Sequence, residues 1–363
     1  MITKTYSHFQ LHLKKYQYLK PALFFLTGFL FDILTLSDVD NISSIIQQCV
    51  YIVIAGLLIR LSFLEAHGLW QPSLNIQKFW RYQNEIIHFL LGGLLSIYTI
   101  FYFVSSSLIV SLFFLFFMIG VLIFNEFSAI KTRNFIFKYL LYFICLLSFF
   151  MFLLPLLAGT VNPLSFYSAI LITIMLTFLN FKDLSRKGLP KNVLIKQMII
   201  PSISLSIIFS FLYLAKILPP VPLAAKYMGI YHSIKKIDNQ YKLGYTRSRW
   251  RFWQSGDQTF YARSGDKIIC FVRVFAPGTI EQNIKFRWEF YQAGEWIMSD
   301  NISINIQGGR ERGYRGYVTK SNFQEGEWRV KLENEDGREI SRIYFEVKTD
   351  NSSEIPEYKY NYH

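Results

Sequence analysis

Cysteine is scarce in this chain, with three in 363 residues. Cys49 and Cys145 fall inside apolar runs and Cys270 in a predicted strand, so no pair has the spacing of a disulfide framework or a metal site. Histidine is nearly as sparse, and after residue 218 only His232 and His363 remain. No serine stands in a nucleophile elbow, and no glycine-rich phosphate loop precedes a helix. These absences leave no catalytic constellation and no implied cofactor or metal; they favour a non-enzyme and assign no reaction. Charge is missing too. Lys and Arg are absent from long stretches of the first 220 residues, and that absence carries the architecture.

Seven long apolar runs fill this half: 21–37, 43–64, 84–104, 106–125, 135–157, 162–181 and 196–218. About 20 apolar residues are needed to cross ~30 Å of hydrocarbon as a helix. Lys and Arg occupy alternate gaps only. The N-terminal segment holds Lys4, Lys14, Lys15 and Lys20, and the later basic gaps hold Arg60, Lys78 and Arg81, then Lys131, Arg133 and Lys138, then Lys182 through Lys196. The opposite gaps near 38–42, 105–107 and 158–162 contain no base. The positive-inside rule then places the N-terminus in the cytoplasm. With seven spans the C-terminal part lies on the far side, which predicts a multi-pass inner (cytoplasmic) membrane protein with an extracytoplasmic domain. The basic balance, +13 overall, thus belongs largely to loops beside lipid. It argues against nucleic acid as a partner, which calls for a basic stripe on a folded face.

Residues 1–20 interleave aromatic and basic side chains and read as an interfacial amphipathic segment. His8 and His12 have the i, i+4 spacing of a metal pair but no third ligand. Two polar groups stand out within the helical region 21–218, Asp32 in the first run and His88 at the start of the third. An intramembrane acid suits an ion path, as in a transporter or a membrane-embedded enzyme; Asp32 also suits an interface-facing acid bonded to a neighbouring helix end.

Residues 219–240 open with Pro219, Pro220 and Pro222, which cannot continue a helix. They read as a stiff linker and a juxtamembrane segment resting on lipid, with His232 near that surface. From Tyr241 to Thr349 the apolar period becomes two. Phe286, Trp288 and Phe290 alternate with charged residues, as do Trp328, Val330 and Leu332, while Ile343, Phe345 and Val347 alternate with Arg342, Tyr344 and Glu346. Trp288 and Trp328 read as core, and Ile268–Phe275 as a central strand. Seven or so short strands fit an all-β immunoglobulin-like sandwich. The fold class is therefore a membrane all-α bundle followed by a β-sandwich, with 350–363 as a disordered tail.

Pro-Pro-Val-Pro-Leu at 219–223, Gly-Ile-Tyr-His at 229–232, Val-Phe-Ala-Pro at 274–277, the run 308–317 and Gly-Glu-Trp-Arg-Val at 326–330 carry a resemblance. So do Gly-Phe-Leu-Phe-Asp-Ile-Leu-Thr-Leu at 28–36 and Val-Asp at 39–40. Together these resemble a bacterial membrane-protein family named for its C-terminal module, domain of unknown function 2914. The resemblance implies a polytopic membrane protein with a β-rich C-terminal module, and it implies no reaction.

The segment 308–317 is the candidate ligand site. Arg310, Arg312 and Arg315 lie within six residues, interleaved with glycines, Tyr314 and Tyr317. Arginine forks suit phosphate or carboxylate; the same residues suit a hairpin whose arginines pair with nearby acids. Trp253, grouped with Trp250, Phe252 and Tyr261, is a second candidate, as a sugar platform, a core edge or a membrane-facing belt. Asp257, Asp266 and Glu295 read as solvated turn acids. The expected partners are membrane lipid and an envelope protein, anionic lipid or polymer, and an oligomer of the chain is compatible with the same reading. The expected role is a membrane-anchored binding or scaffold module.

Overall fold

A computed structural model describes residues 40–126, 135–238, 240–248, 250–251, 253–309, 313–352 and 356–363. The interfacial segment 1–20, the first run 21–37 with Asp32, and Arg310 and Arg312 all lie outside the described residues.

Helix α1 spans Ile42–Ala66. It starts where the Asn41 side chain accepts from the Ser43 and Ser44 amides, satisfying two N–H groups that have no partner within the helix. A short α2, Gln77–Trp80, follows in the loop, then α3 (Gln83–Val104), α4 (Leu108–Glu126), α5 (Phe135–Ala158) and α6 (Pro163–Arg186). Pro163 opens α6, where its missing N–H costs nothing, and Asn162 caps it by accepting from the Ser165 amide at 2.9 Å. The last helix, α7, runs Lys191–Leu214 with a π-helical turn at Ile195–Ile199. Five of these helices (α1, α3, α5, α6 and α7) are long and apolar enough to cross a membrane, and α4 holds a shorter apolar helix at Ser111–Val121.

The chain divides into two compact units. The first holds most of the helical residues. Polar contacts gather there around the charged helix ends: Arg60 pairs with Asp183, and Trp80 Nε1 and Gln83 Nε2 donate to Glu65 at 2.7 and 3.0 Å.

The second unit joins residues 102–113, 151–168 and 211–363. Its strands are β1 (Ala224–Tyr231), β2 (Ser233–Ile237), β3 (Gln240–Tyr245), β4 (Thr259–Ala262), β5 (Ile268–Phe275), β6 (Glu281–Gln292), β7 (Glu295–Gln307), β8 (Tyr314–Lys320), β9 (Gly326–Asn334), β10 (Glu339–Thr349) and β11 (Lys359–Tyr362). They form a three-stranded sheet β1-β5-β8, a five-stranded sheet β4-β10-β9-β6-β7, and a second three-stranded sheet β11-β3-β2. Pairing is antiparallel except between β4 and β10. The first two sheets share one apolar core. Ile284, Phe286 and Trp288 of β6, Val330 and Leu332 of β9 and Phe345 of β10 meet Ile230, Cys270 and Val272 there. The alternation read from the sequence therefore faces inward as expected. β5 is buried on both faces because the β11-β3-β2 sheet brings Leu243 and Tyr245 against Ile269 and Phe271 on its other side.

Two boundary expectations change. Residues 219–240 are not a linker throughout: β1 pairs along β5 and puts Met228 and Ile230 in the core. Sheet packing, not lipid, covers these two apolar side chains. The tail is not structureless either, because β11 pairs with β3, and the His363 and Tyr241 backbones exchange hydrogen bonds at 2.8 and 3.1 Å.

Within the second unit, the β strands are bonded to helix-end residues. Gln282, buried in β6, accepts from the Val161 amide at 3.1 Å and donates to the Val161 carbonyl at 2.9 Å. Thr279 Oγ1 donates to the Leu156 carbonyl at 2.7 Å, and the Glu281 amide to Gly159 O at 3.0 Å. Gly159 has φ +71°, and a Cβ there would meet Thr279 O at 2.9 Å, so glycine permits this approach. Ser107 donates to the buried Glu339 carboxylate, which also holds Arg342, and the Arg338 guanidinium lies 4.2 Å over the Tyr213 ring.

Replacing Gln282 by Leu strips both backbone groups of Val161 of their partner. The expected loss is about 1–3 kcal/mol, read as a lower midpoint when the solubilised chain is unfolded and followed by tryptophan fluorescence. An unchanged midpoint would remove these bonds from the account.

Candidate functional site

The site begins where β1 ends. After Tyr231 the chain leaves the β1-β5-β8 sheet, turns at His232, and enters β2. The His232 amide donates to Gly244 O at 3.0 Å, and the imidazole stacks on Phe260 of β4 at 3.9 Å between centroids. Phe260 belongs to the main core, so the ring caps an edge of that core, and its side chain is 3% exposed.

Each ring nitrogen faces a carboxylate. Nε2 lies 3.4 Å from Asp257 Oδ2, and Nδ1 lies 3.9 Å from Asp266 Oδ2. Neither nitrogen makes a hydrogen bond among the described residues. Asp257 has no exposed side-chain surface. One of its oxygens accepts from the Thr246 amide and the other from the Arg247 amide, both at 2.8 Å, with Thr246 Oγ1 adding a third bond at 3.3 Å. A buried carboxylate is tolerable only with such partners. Gly256 makes the placement feasible. Its φ is +72°, and a Cβ would sit 1.9 Å from Ile230 O, so only glycine lets the loop return against β1, where the Asp257 amide donates to Ile230 O at 2.8 Å.

Burial holds His232 below the ordinary histidine range, against the pull of Asp257 and Asp266. Burial pushes Asp257 up, opposed by its backbone bonds and by His232. The pair is thus an imidazole that resists protonation beside a carboxylate that its loop amides hold in place.

A cavity of about 350 Å³ opens beside the ring. Its walls include Asp266, Arg263, Tyr261, Tyr358 and Glu357. Arg263 is held by Asp350 at 2.7 Å and by Ser352 Oγ at 2.9 Å. Bonds from Ser352 and Arg263 bring Asp350 down to about 2. Burial raises the Tyr358 hydroxyl above the ordinary tyrosine range. Among the described residues, no three His, Cys, Asp or Glu side chains are grouped to hold a metal. The walls offer donors, acceptors and ring surface, which is the chemistry of polar recognition.

This placement corrects two readings. His232 is enclosed in the β domain rather than near a lipid surface, because β1 carries it to the core edge. Asp257 is buried rather than a solvated turn acid, because Gly256 folds its loop inward. The sequence does carry a signal for the pair. Ser-Gly-Asp occurs at 255–257 and again at 264–266, and each copy supplies the carboxylate facing one nitrogen of His232.

The other candidates do not join this site. Arg315 donates to His363 O at 3.1 Å and lies 5.8 Å from the Tyr241 ring, tying β8 to the layer above it. Tyr314 packs against the main core and Tyr317 is exposed on β8. Trp253 is exposed, edge-on to Trp250 at 5.3 Å, outside the cavity wall. His88 is half-buried in α3. Glu295, at the start of β7, is exposed as expected.

Fold and composition fit a multi-pass membrane protein with a β-rich C-terminal domain. The family described as "Protein of unknown function (DUF2914)" matches residues 281–347, from β6 into β10. No curated protein matches the chain. Every residue lining the His232 cavity lies outside the matched stretch.

The lowered His232 value has a definite pH consequence. Between the folded value and about 6.5, the unfolded chain binds a proton that the folded chain refuses. This contribution to stability is present above about 6.5 and is lost as pH falls toward the folded value. The thermal midpoint of the wild type is expected to drop more steeply from pH 7 to 5 than that of His232→Gln. Parallel profiles would contradict the burial argument.

Proposed function

We propose that this chain is a bacterial inner-membrane protein of seven spans whose extracytoplasmic β domain, of immunoglobulin-like type, binds a neutral or amine-bearing sugar of the cell envelope in the His232 cavity. The alternation of basic and base-free gaps supports the N-terminus in the cytoplasm and the β domain outside. The two sheets over a common core support the sandwich reading.

The observation that carries the ligand class is the composition of the cavity wall. Arg263 is already paired with Asp350 at 2.7 Å, and among the described residues the wall holds two further acids, Asp266 and Glu357, and no second Lys or Arg. Such a wall disfavours the anionic lipid or polymer suggested by the arginines of 308–317. It favours hydroxyls and an ammonium group, which carboxylates bind by charge-assisted hydrogen bonds. Tyr261, 49% exposed, offers a ring edge and a hydroxyl beside them. His232 closes the inner side of the cavity, its ring nitrogens buried and without a hydrogen bond among the described residues.

The test is titration of the full-length protein in detergent with glucosamine and N-acetylglucosamine tetramers, with dextran sulfate as a competitor. Saturable binding is expected, weakened at least tenfold by Tyr261→Ala and by Asp266→Asn at unchanged thermal midpoint, and insensitive to dextran sulfate. Absence of binding, or binding indifferent to both substitutions, would overturn the proposal.

A further inference from the structure

The helical unit carries a second cavity, about 590 Å³, that the β-domain reading does not use. It runs along α1, α5 and α6. At one end are Arg60 and Asp183, with Asn180 and Thr177 beside them; at the other are Cys49, Val53 and Phe150. The wall between is apolar and aromatic, and the side chains of Val53, Leu57 and Leu179 stand more than half exposed along it.

Length and charge identify the occupant. Cys49 and Arg60 are eleven residues apart on one helix, about 16 Å at 1.5 Å per residue. That is close to half of the ~30 Å hydrocarbon layer, the depth of one leaflet. At the polar end Arg60 pairs with Asp183, and Lys187, outside the cavity wall, reaches the same carboxylate at 3.9 Å. Two cations against one anion leave one positive charge, which matches a phosphodiester. Arg60 is 36% exposed, and a guanidinium keeps further N–H donors after one ion pair.

We infer that this groove seats one acyl chain of a bilayer phospholipid, with its phosphate at Arg60. The chain lies against Val53, Leu57 and Phe150, and the phosphate enters the charge-assisted cluster of Arg60, Asp183 and Lys187. The polar end fixes which leaflet the lipid comes from, because only one end of the groove carries charge.

Native mass spectrometry of the full-length protein in maltoside detergent tests this with three probes: dioleoylphosphatidylglycerol, dioleoylglycerol, and inorganic phosphate. The wild type is expected to retain one phosphatidylglycerol at concentrations where dioleoylglycerol and phosphate leave no adduct. Arg60→Gln is expected to lower retention at least tenfold, and Leu176→Trp, which fills the groove from a partly exposed position, is expected to do the same. The two variants act by charge and by volume, so the volume variant decides if the charge variant fails to fold. Equal retention in wild type and Leu176→Trp would overturn the inference. So would equal retention of the lipid lacking phosphate, or a dimer mass with no lipid, which would mean that a second copy covers the groove.

Discussion

The β-domain site depends on one buried carboxylate. Asp257 sits with no exposed surface and offers its two oxygens to the amides of consecutive residues, Thr246 and Arg247. Without those bonds a desolvated carboxylate would be costly. With them it pins the loop between β3 and β4 against the end of β1 and closes one side of His232. The imidazole, stacked on Phe260, then presents the cavity with a ring that burial keeps neutral and that Asp266 flanks from the other side. The cavity owes its polar wall to this arrangement of backbone and to the ion pair that fixes Arg263.

Within this unit the β domain is bonded to helix-end residues. Leu156, Gly159 and Val161 bond to Thr279, Glu281 and Gln282 at the start of β6, and Val161 is itself part of the main β core. Ser107 and Tyr213 make further contacts to Glu339 and Arg338. The residues that end the helices thereby complete the β domain. A ligand bound in the cavity would be held by a domain whose core is continuous with those helix ends. The lipid groove belongs to the other unit and rests on different residues, so the two proposals stand or fall separately.

Much of the architecture was legible in the sequence because it is periodic. Apolar runs marked α1 and α3–α7 to within a few residues, and alternation at Phe286–Phe290 and Ile343–Val347 marked inward faces that the core bears out. The site was less legible because it is not periodic. His232 and Asp257 are 25 positions apart in the chain and meet where a parallel bridge joins Ile230 and Gly256, a long-range contact without a local pattern. The arginines near 308–317 are dense in sequence, yet Arg315 serves packing between layers. β11 is not legible locally because four polar and aromatic residues in a charged tail carry too little hydrophobic signal, and their pairing with β3 is a tertiary choice.

Amide hydrogen exchange at Thr246 and Arg247 in the intact protein tests the central claim most directly, because these loop amides have the Asp257 carboxylate as their partner. The account predicts that both exchange slowly in the wild type. It also predicts that Asp257→Ala releases them while the β5 amides stay protected. Fast exchange of both amides in the wild type, at the rate of an open loop, would contradict it.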